Sequence, residues 1–175
     1  MILSFKTKIN GKPTYFPEKI IAGLYEKNIV TFHEGCSFLL DYKNKVRPEL
    51  LFNTLITPAH KGQSKIHTIR KDDKNRWKPG LMIDFFINAR QKDMFRFAPR
   101  VPLKSKQRIF MTYLPHLGNG FQVSINGREL DKSEIKVLAV NDGFETVEDF
   151  EDYFISEMEN DEYSGKIIHW TDFKY

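Results

Sequence analysis

Polar and apolar residues alternate from Met1 to Ile9, the period of a strand with one buried face. Asn10-Gly11-Lys12-Pro13 then supplies the backbone angles of a turn. The spacing changes next: Ile20, Ile21 and Leu24 recur at helical intervals behind Pro17, which suits a first helical turn because its missing N–H costs nothing there. Between residues 25 and 63 the pattern predicts two short strands, Ile29–Phe32 and Ser37–Leu40, before a helix that opens at Pro48 with Leu51, Leu55 and Ile56 on one side. Thr57-Pro58 stops that helix, and Ala59 to Ser64 reads as loop. From Lys65 to Arg70 strand alternation returns, with Ile66, Thr68 and Arg70 pointing one way and Lys65, His67 and Ile69 the other.

A charged loop over 71–76 leads through Trp77 and the Lys78-Pro79-Gly80 turn into Leu81–Ile87, a strongly apolar strand. Pro99 and Pro102 mark a connection or an edge. Gln107–Leu114 and Phe121–Asn126 read as strands, and Asn126-Gly127 as a tight turn into Arg128–Leu130. Asp131 with Glu134 is a capping-box pattern, opening a helix with Ile135, Leu138 and Ala139 inside and Gly143 at its end. Thr146 caps a further helix with Val147, Phe150, Phe154 and Met158 along one stripe; Gly165 closes the helical region before a last strand, Lys166–Trp170. Many short strands with three or four short helices predict an α+β domain, with six strands in one curled or closed sheet flanked by the helices.

A chain of 175 residues, 41% hydrophobic and with fifteen Phe, can fill one core without staples, so a single domain over 1–175 is expected. No apolar run reaches the ~20 residues of a membrane-spanning helix. The start of the chain lacks the long apolar stretch of a signal peptide. Cys36 is the only cysteine, which excludes disulfides within the chain and cysteine-based zinc sites; a reducing cytoplasm is the expected setting. The net charge of +4 is uneven, with Lys and Arg dense over 61–108 and acidic residues dense over 142–162. That balance tolerates a polyanionic partner without demanding one.

General signatures are missing. The chain has no Gly-rich phosphate loop, no Gly-x-Ser-x-Gly elbow and no His-Glu-x-x-His helix. The five histidines stand apart, so neither a metal nor a cofactor is expected. What remains is Lys65-Ile66-His67-Thr68-Ile69-Arg70 and Arg76-Trp77-Lys78-Pro79-Gly80. A lysine desolvated in a cleft can lose its proton near neutral pH and act as a base, and a threonine hydroxyl is a usable nucleophile only beside such a base. On an ideal strand Lys65 and Thr68 face opposite sides, so they meet only if the strand bulges or ends between them.

Lys65-x-x-Thr68-x-Arg70 followed by Trp77-Lys78-Pro79-Gly80 resembles the ASCH domain, a branch of the PUA-like β-barrels. Three further stretches agree with its bacterial and phage form: Leu3-Ser4-Phe5-Lys6 with Ile20-Ile21-Ala22-Gly23, Asn141-Asp142-Gly143-Phe144 with Glu148-Asp149-Phe150, and Ile168-His169-Trp170-Thr171-Asp172. The resemblance covers nearly all of the chain except 25–63, an inserted segment expected to pack outside the barrel without supplying a strand. It implies a small barrel with a cleft lined by the Lys-x-x-Thr-x-Arg strand, and RNA-related roles. Some compact bacterial members are amidohydrolases that remove the acetyl group from N4-acetylcytidine, using a Lys and a Thr three apart plus a Glu before a late helix. Carried over by motif, these are Lys65, Thr68 and Asp142, the last a carboxylate shortened by one methylene.

Three functions follow, in this order. The first is a module that binds RNA or a nucleoside in a basic cleft, with His67, Arg70, Arg76, Lys78 and His169 around the ligand and Trp77 or Trp170 stacking on a base. The second is a hydrolase of an amide on a modified nucleoside, with Thr68 attacking or positioning water, Lys65 as base and Asp142 orienting Lys65. The third is an accessory protein whose 25–63 insertion is a partner surface. A structural ion pair between Lys65 and Asp142 is the plainer account of those two residues.

Overall fold

The computed structural model describes residues 1–48, 63–116 and 120–175. The helix expected from Pro48, with Leu51, Leu55 and Ile56, falls almost entirely outside these residues.

The opening alternation splits in two. Leu3 and Phe5 are the buried positions of β1 (Ile2–Phe5), after which β2 (Lys8–Ile9) forms a hairpin with β3 (Lys12–Pro13). Asn10 and Gly11 take positive φ at its tip. Helix α1 (Phe16–Glu26) carries Pro17 in its first turn, and its first nine residues, Phe16 to Leu24, are all buried, Glu18 and Lys19 included.

Residues 32–46 are not strands. They form α2 (Phe32–Val46), which corrects the expectation for Ile29–Phe32 and Ser37–Leu40. The physical reason is a capping box: the Thr31 hydroxyl accepts the Glu34 N–H, and the Glu34 carboxylate accepts the Thr31 N–H. Gly35, Leu39 and Tyr42 then form a buried stripe at helical spacing, and Tyr42 stacks on Phe95. Two short apolar runs favour strands only when no cap imposes the other period. The described part of the 25–63 segment contains no strand.

The remaining elements are β4 (His67–Arg70), β5 (Met82–Ile87), β6 (Phe95–Arg96), β7 (Val101–Pro102), β8 (Ser105–Tyr113), β9 (Phe121–Ile125), β10 (Arg128–Glu129), α3 (Lys132–Asn141), α4 (Val147–Ser156) and β11 (Glu162–His169). The Asp131–Glu134 capping box and the Thr146 cap form as the spacing requires. Gly165 does not end a helix: α4 stops at Ser156, and Gly165 lies inside β11, where a Cβ would meet the Tyr163 ring at 2.7 Å.

The fold is α+β, and apart from the β2–β3 hairpin its strands divide between two sheets rather than one. In the first, β1 pairs parallel with β5, which also pairs antiparallel with β6 and β7. The second is antiparallel in the order β10-β9-β8-β11-β4. Residues 101–105 carry the chain between them: Leu103 N–H donates to Leu81 O at 2.8 Å, and Lys104 N–H to His169 O at 2.8 Å. A strand that bends from one sheet to the other in this way makes a corner of a curled structure.

Alternation along β11 separates two cores. Ile167 packs with Ile109, Met111, Leu138 and Phe150 against α3 and α4, while Ile168 and Trp170 join Leu3, Phe5, Phe85 and Phe97 of the first sheet. One edge of the first sheet is β1, and one edge of the second is β4. Arg70 spans them, its Nη2 donating to Ser4 O at 2.9 Å.

The strand entering β4 is held against α1 at close range. Lys65 N–H donates to Lys19 O at 3.0 Å, and a Cβ placed on Gly23 would lie 2.7 Å from Lys65 O. Ala gains about 1 kcal/mol over Gly in a helix interior, but here the obstacle is backbone and cannot rotate away. Gly23→Ala is therefore expected to lower stability by about 1–3 kcal/mol in denaturant unfolding, the cost of overpacking, instead of raising it.

Candidate functional site

Lys65 precedes β4, which begins only at His67. It is therefore not bound by the alternation that would set it opposite Thr68. Two bonds fix its place: its own N–H to α1, and Ile66 N–H to Asn141 O at 3.0 Å at the end of α3. Thr68 pairs with Ile168 in the β4–β11 register and so faces the first sheet, as Ile168 does. Asp142 is the C-cap of α3, followed by Gly143 at φ 90°. A side chain there would press on Lys65 and Phe16 at 3.0 Å, so the turn needs a residue that has none and tolerates this φ.

These placements bring Lys65, Thr68 and Asp142 to one cleft of about 560 Å³ between the β1 and β4 edges. Its walls include Phe16, Phe144 and Tyr153; Lys6, Lys8 and Arg70 are also on its lining, as are Asn88 and Gln91. Lys65 is 1% exposed and its Nζ lies 2.7 Å from Asp142 Oδ1, while also donating to the Asp142 carbonyl. The same Oδ1 accepts Ile69 N–H at 3.2 Å, and no hydrogen-bond partner for Oδ2 occurs among the described residues. The ammonium also lies 4.7 Å from the centre of the Phe16 ring, an attractive contact with its π face.

Burial lowers the pKa of Lys65 to about 8, with the Asp142 carboxylate opposing the shift. Burial alone would raise Asp142, but the Lys65 ammonium and the His67 ring outweigh it and hold the carboxyl below its usual range. The lowered pKa of Lys65 favours the free amine, a usable base in the cleft that Thr68 also lines.

The other sequence-selected residues lie elsewhere. His67 faces the opposite side of β4 from Thr68, behind Asp142, with Nδ1 3.6 Å from Oδ1. His169, its register partner, is fully buried, and neither of its ring nitrogens has a hydrogen-bond partner among the described residues. Trp77 and Trp170 are core residues, not stacking platforms. Trp170 is 0% exposed and meets Phe85 edge-to-face at 5.1 Å, while Trp77 N–H is tied to Asp72, as is Arg76 N–H. Arg76 and Lys78 are exposed and do not line the cleft.

No protein-family model, curated protein or solved structure gives a significant match to this chain. The site therefore stands on its own geometry.

Sequence reasoning missed Lys19, which is 2% exposed and donates from Nζ to Gly143 O at 2.8 Å, with Glu145 at 3.7 Å. Burial lowers its pKa as well. Helical periodicity carries no sign of it, because Glu18 and Lys19 lie within a helix whose first nine residues are all buried. Tyr153 was hidden inside the acidic face of α4, and Tyr175 lay beyond the last patterned element.

Lys65→Met strands the Asp142 carboxylate in the interior, and a loss of about 3–5 kcal/mol in urea unfolding is expected. Adding Asp142→Asn should recover part of that loss, since the second charge then goes too. A separate test concerns His169, whose pKa falls to about 3 through burial and its neighbours His67 and Lys174. Between pH 6.5 and 3 the unfolded chain holds a proton there that the folded chain lacks, so stability falls as pH falls. Glu18, raised by burial to about 7, contributes with the opposite sign between 4.5 and 7. Comparison with His169→Phe isolates the histidine: the slope of unfolding free energy from pH 6 to 4 should drop by about 1.4 kcal/mol per pH unit.

Proposed function

We propose that the chain is an ASCH-type, PUA-like domain whose cleft takes a modified nucleoside and hydrolyses an acylamide on its base, with N4-acetylcytidine as the type substrate. The observation that carries this reading is the convergence of Lys65, Thr68 and Asp142 on one cleft, with Lys65 buried and its pKa lowered by that burial. A volume of about 560 Å³ falls within the ordinary range for small-ligand pockets. Aromatic walls and amide side chains suit a planar heterocycle with a polar edge. The corner at residues 101–105, which joins the two sheets, is consistent with a curled barrel of this kind.

In the reaction, neutral Lys65 takes a proton from a water positioned by Thr68, and the water oxygen adds to the acyl carbon. The tetrahedral adduct collapses with cleavage of the C–N bond. Lys65 returns its proton to the departing exocyclic nitrogen, and the acyl group leaves as a carboxylic acid that gives its proton to solvent. Asp142 holds Lys65 at the end of α3, on the lining of the cleft.

Binding without turnover is the second reading, favoured by Lys6, Lys8 and Arg70 on the cleft lining, where phosphate of a nucleotide or RNA strand would meet them. Purified protein incubated with N4-acetylcytidine is expected to release cytidine and acetate, followed by chromatography. Thr68→Val should lose at least about a hundredfold in rate, the low end for a positioned group. Saturable binding of nucleosides or short RNA with no product selects the second reading. Neither turnover nor binding defeats both.

A further inference from the structure

Asp142 Oδ1 bonds Lys65 on the cleft side, while on the opposite side of β4 His67 Nδ1 faces it at 3.6 Å, just beyond hydrogen-bond length, and has no hydrogen-bond partner among the described residues. His67 Nε2 lies 2.7 Å from the Tyr175 hydroxyl, and that hydroxyl accepts Asn141 Nδ2–H at 3.0 Å. Asn141 adjoins Asp142 in the chain, so the contacts close a loop: Asp142, His67, Tyr175, Asn141. Tyr175 is not loosely placed. Its N–H donates to Gln107 Oε1 at 3.0 Å, Gln107 Nε2 donates back to its carbonyl at 2.9 Å, and its ring packs on His67 and His169.

Hydrogen-bond capacity assigns the protons along this loop. A carboxylate is negative and only accepts, so at 3.6 Å an N–H dipole toward it is favoured over a lone pair, which puts the hydrogen on Nδ1. Nε2 then offers a lone pair, which the tyrosine O–H fills while its oxygen accepts from Asn141. The opposite tautomer would set a lone pair against a carboxylate in a buried site. Burial supports the assignment at both ends: it keeps His67 neutral and raises the Tyr175 hydroxyl.

We propose that Tyr175 is a positioning residue of the cleft, locking His67 as the Nδ1–H tautomer so that its ring orients the Asp142 carboxylate toward Lys65. Neither Tyr175 nor His67 touches the ligand space; both act through Asp142. The groups facing His67 are Asp142, Lys65, His169 and Tyr175, so a change at Tyr175 reaches Asp142 through His67 and, separately, through Asn141; the His67 tautomer reports the first route alone. The inference rests on the cleft reading above for its role in turnover, yet it can be tested without turnover.

Nitrogen NMR of the histidine side chains and of the Lys65 amine serves for wild type and Tyr175→Phe. Wild-type His67 should show one tautomer, protonated at Nδ1. In Tyr175→Phe it should become a mixture, and the Lys65 midpoint should fall by about half a pH unit or more as its carboxylate partner loosens. Should the Phe variant not fold, the wild-type spectrum still decides: His67 protonated at Nε2, or already a mixture, would overturn the proposal. An unchanged His67 tautomer and Lys65 midpoint would overturn the proposal. If the protein deacylates, Tyr175→Phe should also lower kcat severalfold, leave KM within twofold, and shift the pH–rate profile with the Lys65 midpoint. If it does not, the NMR comparison still decides, so the two readings fail separately.

Discussion

Two lysine ammonium groups are buried at the end of one short helix, and the arrangement of the rest turns on how that is tolerated. Lys65 donates to the carbonyl of Asp142 and Lys19 to the carbonyl of Gly143, consecutive acceptors just past α3. The C-terminal end of a helix presents unsatisfied carbonyls and a partial negative charge near one half of an elementary charge. Each cation thus gains a carbonyl partner and a favourable field, and Lys65 gains the Asp142 carboxylate as well. Without the turn between α3 and α4 both charges would be stranded, at a cost of several kcal/mol each.

This junction also organises the chain. It ties α1, the approach to β4, and α3 into one node through Lys65 N–H to Lys19 O and Ile66 N–H to Asn141 O. Gly23 and Gly143 are the two places where a side chain would keep the partners apart. The cleft opens beside that node because neither β1 nor β4 is paired on its outer edge, and Arg70 bridges the gap with one hydrogen bond. Chemistry at the cleft and stability of the node therefore draw on the same residues. That is why Thr68, which takes no part in the ion pair, is the cleaner probe of function, and why the imidazole behind Asp142 can tune the cleft from outside it.

Much of this protein was legible in its residue pattern. The Asp131–Glu134 capping box of α3, the Thr146 cap of α4, the strands β5, β8 and β9 and the Asn126-Gly127 turn are local devices, readable wherever they occur. The resemblance to the ASCH domain also pointed to Lys65, Thr68 and Asp142, residues 77 positions apart at the extremes, which the fold does bring to one cleft. Tertiary structure alone decided the rest. Period-2 alternation cannot say which strands share a sheet, so six strands expected together divide in two at the corner of residues 101–105. Composition suggested stacking indoles, yet Trp77 and Trp170 are claimed by the core, because aromatic area is worth more buried than exposed. Lys19 and Tyr175 had no local signature, since a buried charge and a positioning hydroxyl are defined by partners 124 and 108 positions away. Local periodicity records which face of an element is dry; only the packed chain records what waits on that face.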